Sequence, residues 1–178
     1  MPVGLRDDYG RVARDLRVSL TDRCNLRCTY CMPAEGLAWL PTEDTLTDDE
    51  AARVIGIAVN RLGVTKIRFT GGEPLLRPGL ERIIAATTAL PNAPETALTT
   101  NGLGLDKRID GLIAAGLDRV NISLDSLDRQ RYAALTRRNR LDDVLTSIAA
   151  VDAAGLRPLK INSVIMRGQN EVDIVPLS

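Results

Sequence analysis

From residue 15 to residue 165 the chain repeats one pattern. A short run of alternating apolar and polar residues gives way to a longer run with apolar residues at helical spacing. The first alternation is Asp15 to Thr21, with Leu16, Val18 and Leu20 on one face and Arg17, Ser19 and Thr21 on the other. Further strands are predicted at 66–70, 96–100, 119–124 and 159–165. Between the first two, Thr47-Asp48-Asp49-Glu50 reads as a capping box. Ala51, Val54, Ile55, Ala58, Val59 and Leu62 continue that helix to Gly63, a residue suited to its C-terminus. A second helix should start near Pro78, as N1, and stop before Pro91. Others are expected over 106–115, over 127–135 with Ser126 as cap, and over 142–154. Residues 1–14 read as a polar arm, and 33–46 as irregular. Strands alternating with helices predict an α/β fold of parallel strands joined by right-handed crossovers.

The two strand faces differ. One carries Leu16, Val18, Leu20, Ile67, Phe69, Val120, Ile122, Leu124, Leu159 and Ile161, and should pack under helices. The other carries Arg17, Ser19, Lys66, Arg68, Thr70, Thr99, Asn101, Asn121, Ser123, Asp125, Lys160 and Asn162. Closed eight-stranded barrels fill their interior with branched apolar side chains, and doubly wound sheets are apolar on both faces. A polar second face therefore predicts a cavity that holds a polar ligand. Any one of Arg17, Arg68 and Lys160 alone would read as a surface charge. Together they point to an anionic ligand such as a phosphate ester, because desolvating unpartnered cations is costly.

Length and composition narrow the choice. The 178 residues are treated as one domain, 1–178. Net charge is zero, and three Tyr, one Trp and one Phe leave little for stacking, so nucleic-acid binding is not expected. No apolar run reaches membrane-spanning length and the N-terminal residues carry no signal-peptide core, so no membrane contact and a cytoplasmic location are expected. The absence of histidine excludes a Ser-His-Asp triad and any His-ligated metal.

All three cysteines, Cys24, Cys28 and Cys31, fall in one C-x3-C-x2-C loop after the first strand. A disulfide with a spare thiol suits a secreted protein better, and a zinc site would need an Asp, Glu or water as fourth ligand. Four thiolates saturate a [4Fe–4S] cube; three leave one iron open to a small molecule. The next strand runs into Gly71-Gly72-Glu73-Pro74, whose glycines let backbone approach a ligand and whose Glu73 offers a carboxylate to a cationic amino group. Asn121 and Ser123 end the fourth strand on the polar face, within reach of the same ligand. Tyr30 reads as local packing in the cysteine loop, and the basic run Arg137-Arg138-Asn139-Arg140 as a solvated loop.

The cysteine spacing, with an aromatic residue before the last cysteine, resembles the radical S-adenosylmethionine (SAM) superfamily. The segments RDLRVSLTDRCNLRCTYCMP, KIRFTGGEPLLR, TTNG, RVNISLDSLD and KINSVIMRGQN together resemble the GTP 3′,8-cyclase family, which acts in molybdenum cofactor biosynthesis. The resemblance implies a partial (β/α) barrel of the radical SAM type, truncated after about five parallel strands. It implies that Cys24, Cys28 and Cys31 hold a [4Fe–4S] cluster whose open iron chelates SAM. Reductive cleavage of SAM would yield a radical that takes the C3′ hydrogen of GTP, and C3′ would then bond to C8 of guanine. No side chain is assigned as a catalytic acid or base; the cofactors carry the chemistry. By motif position Tyr30, Gly72, Glu73 and Ser123 would bind SAM, and Arg17, Arg68, Thr99 and Lys160 would bind GTP. An electron donor such as flavodoxin or ferredoxin, the next pathway enzyme (cyclic pyranopterin monophosphate synthase) and a homodimer are the implied partners. Family members continue past residue 178 with a sixth strand and a second three-cysteine [4Fe–4S] cluster; no cysteine follows Cys31 here. The chain thus reads as a fragment, a truncated product or half of a split homologue. A radical SAM enzyme of another substrate class, and a remnant that binds cluster and SAM without full cyclase activity, are the other readings.

Overall fold

A computed structural model describes residues 4–178; the first three residues of the expected arm lie outside the described residues. The rest of that arm is a small antiparallel hairpin, β1 (Leu5–Arg6) on β2 (Val12–Ala13). Its two-residue strands are too short for alternation to reveal.

Five parallel strands follow: β3 (Asp15–Ser19), β4 (Lys66–Thr70), β5 (Glu95–Thr100), β6 (Arg119–Ser123) and β7 (Leu159–Asn162). They lie side by side in chain order. Every crossover therefore steps the same way. A doubly wound sheet reverses its order at a switch point; this sheet never does, which is the winding of a barrel wall. The crossovers carry α1 (Asp48–Leu62), α2 (Leu80–Thr88), α3 (Ile109–Ala114), α4 (Arg129–Thr136) and α5 (Leu141–Ala153). Among the described residues no helix is long and apolar enough to cross a membrane.

Register aligns the apolar positions into rows. Leu16 pairs with Ile67, Val18 with Phe69, Phe69 with Leu98, and Leu98 with Val120. Phe69, Leu98, Val120 and Ile122 are fully buried, as are Ile55 of α1, Leu80, Ile83 and Ile84 of α2, Leu112 of α3 and Val144 of α5. The hydrophobic core thus lies between the sheet and its helices and leaves the opposite face to polar side chains. The capping box at α1 forms as expected: the Thr47 hydroxyl accepts from Glu50 N, Glu50 accepts from Thr47 N, and Gly63 ends the helix at φ 74°.

Four details depart from the sequence expectation. Helix α2 starts at Leu80 with Gly79 as its cap, so Pro78 lies before it. Helix α4 is capped by Asp128, whose carboxylate accepts from Arg131 N at 2.8 Å; Ser126 Oγ instead accepts from Asp128 N. Strand β7 ends at Asn162 because side chains take the next backbone groups. Asp125 accepts from Val164 N at 2.9 Å, and Ser163 Oγ donates to Leu124 O at 2.5 Å. Ile161, expected under a helix, is 36% exposed on this outer strand.

Candidate cofactor and substrate site

The cysteine loop leaves the C-terminal end of β3 and is fastened on both sides. On one side, Gly72 N donates to Thr21 O and Glu73 N to Arg23 O, both at 2.7 Å. Such backbone approach requires glycine. A Cβ on Gly72 would stand 2.4 Å from the carbonyls of Asp22 and Arg23, and one on Gly71, where φ is 144°, 2.4 Å from Thr21 O. The glycines expected to admit a ligand thus first admit the cysteine loop itself. On the other side, Arg27 N donates to Thr136 O at 3.0 Å and Thr29 N to Leu135 O at 2.8 Å, at the end of α4.

Glu73 is 1% exposed. Its carboxylate accepts from Leu75 N at 3.0 Å, Thr100 Oγ1 at 2.6 Å and Asn101 N at 2.7 Å. A carboxylate has about four acceptor positions, so the protein occupies most of them. Burial pushes the Glu73 pKa up, and these hydrogen bonds oppose the rise. The Tyr30 hydroxyl donates to Asp125 Oδ2 at 2.7 Å, tying the cysteine loop to the end of β6. Burial, with this hydrogen bond to a carboxylate, raises the Tyr30 pKa.

A cavity of about 190 Å³ lies over these strand ends. It brings together Cys24, Cys28, Cys31, Tyr30, Gly72, Glu73, Thr99 and Ser123. Cys24 and Cys28 are half-buried and Cys31 is exposed. Burial raises the thiol pKa of Cys24, and that of Cys28 to about 11. Among the described residues no three Cys, Asp or Glu converge tightly enough to ligate a single ion.

Arg17, Arg68 and Lys160 do not border that cavity; register places them below it. Thr99, Asn121 and Lys160 are paired in one row across β5, β6 and β7. Two residues further from the cysteines, Arg17 pairs with Arg68, Arg68 with Ala97, and Ala97 with Arg119. The step is about 6.6 Å. Arg119 is a further cation on this face, beside Arg17, Lys66, Arg68 and Lys160, that sequence reading passed over, although it shares its parity with Asn121. It stands 2.9 Å from Glu95, and Arg68 stands 3.7 Å from Asp15. Five buried side-chain polar atoms make no well-aligned hydrogen bond among the described residues: Arg68 Nε, Thr99 Oγ1, Asn121 Oδ1, Tyr132 Oη and Arg119 Nε, the last still ion-paired 2.9 Å from Glu95 Oε1. Four lie on adjacent positions of this face, and Tyr132 borders the cysteine cavity. Buried polar atoms are rarely left unpaired without a ligand or function.

Residues 18–177 match the radical SAM superfamily. The chain belongs to that superfamily. It is 69% identical over 178 residues to the GTP 3′,8-cyclase of Corynebacterium glutamicum, covering 98% of this chain and 47% of that protein. It is 60% identical over 173 residues to GTP 3′,8-cyclase 2 of Mycobacterium bovis, covering 97% and 48%. The chain thus spans about half the length of these curated relatives. Its fold is similar to that of Streptococcus suis SuiB bound to S-adenosylmethionine, with a TM-score of 0.72 at 18% identity over 92% of this chain and 36% of SuiB.

The cofactor pair of a radical SAM protein is a [4Fe–4S] cluster and SAM. The residues present fit both. Three thiols on one fastened loop suit a cube with an open iron. The adjoining cavity combines backbone glycine, hydroxyls and an unpartnered phenol, a donor and acceptor set that suits a polar, zwitterionic ligand.

Proposed function

We propose that this chain acts in molybdenum cofactor biosynthesis as a GTP 3′,8-cyclase, and that residues 1–178 form one radical SAM core domain of such an enzyme. Cys24, Cys28 and Cys31 hold the cluster; Tyr30, Gly72, Glu73 and Ser123 surround SAM; Arg17, Arg68, Thr99 and Lys160 bind GTP. Bound together, the two cofactors supply reductive carbon–sulfur cleavage and hydrogen-atom abstraction. The chain's residues orient and shield that chemistry. Glu73 fixes the shape of the glycine loop through its three hydrogen bonds. Arg17 and Arg68 lie one row below Thr99 and Lys160. A nucleotide with its phosphates on Arg17 and Arg68 then holds its sugar near Thr99, Asn121 and Lys160, toward the cysteines.

The observation that carries this reading is the set of unpartnered polar atoms on Arg68, Thr99 and Asn121, with the Glu95-paired Arg119 beside them. They lie on a polar, partly exposed face with Arg17 and Lys160, which suits an anionic, hydrogen-bonding ligand, and GTP is the substrate that the relatives' name supplies. A flavodoxin or ferredoxin as electron source, cyclic pyranopterin monophosphate synthase as next enzyme and a homodimer belong to the same proposal. Calorimetric titration of the chain with GTP and with guanosine tests it. GTP should bind more tightly, and Arg68→Ala should weaken GTP binding about tenfold or more, the scale of one lost charged hydrogen bond. Equal affinity for guanosine, or indifference to Arg68→Ala, overturns it.

A further inference from the structure

Arg137 opens the basic run that reads in sequence as a solvated loop. In the structure it is half-buried against the cysteine loop. Among the described residues it is the sole non-glycine with positive φ, at φ 54° and ψ 28°, immediately after α4. L residues other than glycine disfavour this left-handed conformation, and such outliers concentrate where a side chain is held for a purpose. Here the purpose is visible. Arg137 Nη1 donates to Arg27 O at 3.1 Å and to Met32 O at 3.0 Å. Those carbonyls belong to the residue just before Cys28 and the residue just after Cys31. One guanidinium nitrogen therefore closes the turn that carries the second and third cysteines. Inside it, Cys31 N and Met32 N both donate to Cys28 O, at 2.9 and 3.1 Å. The preceding residues of α4 pair with Arg27 N and Thr29 N, so Arg137 completes a fastening that the helix end begins.

We propose that Arg137 is a positioning residue: its left-handed backbone aims the guanidinium at both ends of the Cys28–Cys31 turn and sets the turn's shape before iron arrives. This rests on the cluster site of the superfamily and is independent of the GTP reading. A preset turn spares cluster assembly the ordering of a loop. The guanidinium does not ligate iron; it acts through the two carbonyls.

Arg137→Gly separates the clamp from the backbone conformation, because glycine accepts the left-handed region without strain. Two readouts on the full chain test the idea. The first is amide hydrogen exchange in the iron-free protein, comparing Thr29, Cys31 and Met32 with β4 and β5 as internal reference. The second is the rate at which a chelator removes iron from the reconstituted chain. Arg137→Gly should melt no lower than the parent, yet exchange faster at those three amides alone and lose iron about tenfold faster, as loss of an outer-shell partner does. Arg137→Lys should fall between the two. Arg138→Ala, which removes a neighbouring charge whose guanidinium donates to Arg137 O and, among the described residues, to no other group, should behave as the parent. Parent-like exchange and iron retention in Arg137→Gly overturn the proposal. So does a loss of protection that extends through β4 and β5, or an equal effect of Arg138→Ala.

Discussion

Glu73 is held by Leu75 N, Thr100 Oγ1 and Asn101 N, and through them it joins the glycine loop to the end of β5. Glu73→Ala leaves three buried donors without an acceptor. It should cost about 3 kcal/mol or more in urea unfolding, at 1–3 kcal/mol per unsatisfied buried group. Asp173 gives a pH signature. Its nearly buried carboxylate accepts from Arg131 Nε at 2.7 Å, and this bond holds its pKa below the ordinary 3.8. A depressed folded-state value means the stabilisation is present above about pH 4 and is lost as pH falls through the folded pKa. Asp173→Asn should therefore lower the urea midpoint at pH 7 and flatten its decline between about pH 5 and 3. An unchanged acid slope in the variant contradicts this. At this scale sequence reading found residue types better than it found their partners. Glu73, Tyr30 and the cysteines stood out by motif. The three bonds on Glu73 and the reach of Arg137 across more than a hundred residues depend on loops from different crossovers meeting, which no local period encodes.

At the scale of elements, the glycine pair after β4 and the cysteine loop after β3 form one unit. Gly72→Ala would drive a Cβ to 2.4 Å from two carbonyls, and should cost about 2–3 kcal/mol with loss of iron uptake on reconstitution. Full uptake in this variant would show that the close approach is dispensable. The regular elements were legible because period and caps agreed. Strand alternation at 15–21, 66–70 and 119–124 sorted the faces as they are observed, and Thr47 with Glu50 marked the start of α1. Where two polar residues competed to start a helix, at Ser126 and Asp128, geometry chose the one adjacent to the first turn. At 163–165 the side chains of Asp125 and Ser163 outbid the ladder, an outcome that β propensity does not carry.

Across the whole molecule, the sheet divides a dry side from a wet one. Helices α1, α2, α3 and α5 cover Phe69, Leu98, Val120 and Ile122, and the opposite face runs from carboxylates through guanidiniums and amides to the thiols. The guanidiniums and amides of that order were visible from strand parity alone, whereas Asp15, Glu95 and Arg119 were not read onto this face. The central claim is that the three-thiol loop at the top of this gradient holds a cluster whose open iron faces the polar cavity. Electron paramagnetic resonance of the reduced, anaerobically reconstituted chain, with and without SAM, tests it most directly. The account predicts a spectrum from about four irons per chain that changes on adding SAM and disappears in the Cys28→Ala variant. A fully loaded cluster whose spectrum ignores SAM, or a signal that survives loss of Cys28, would contradict it.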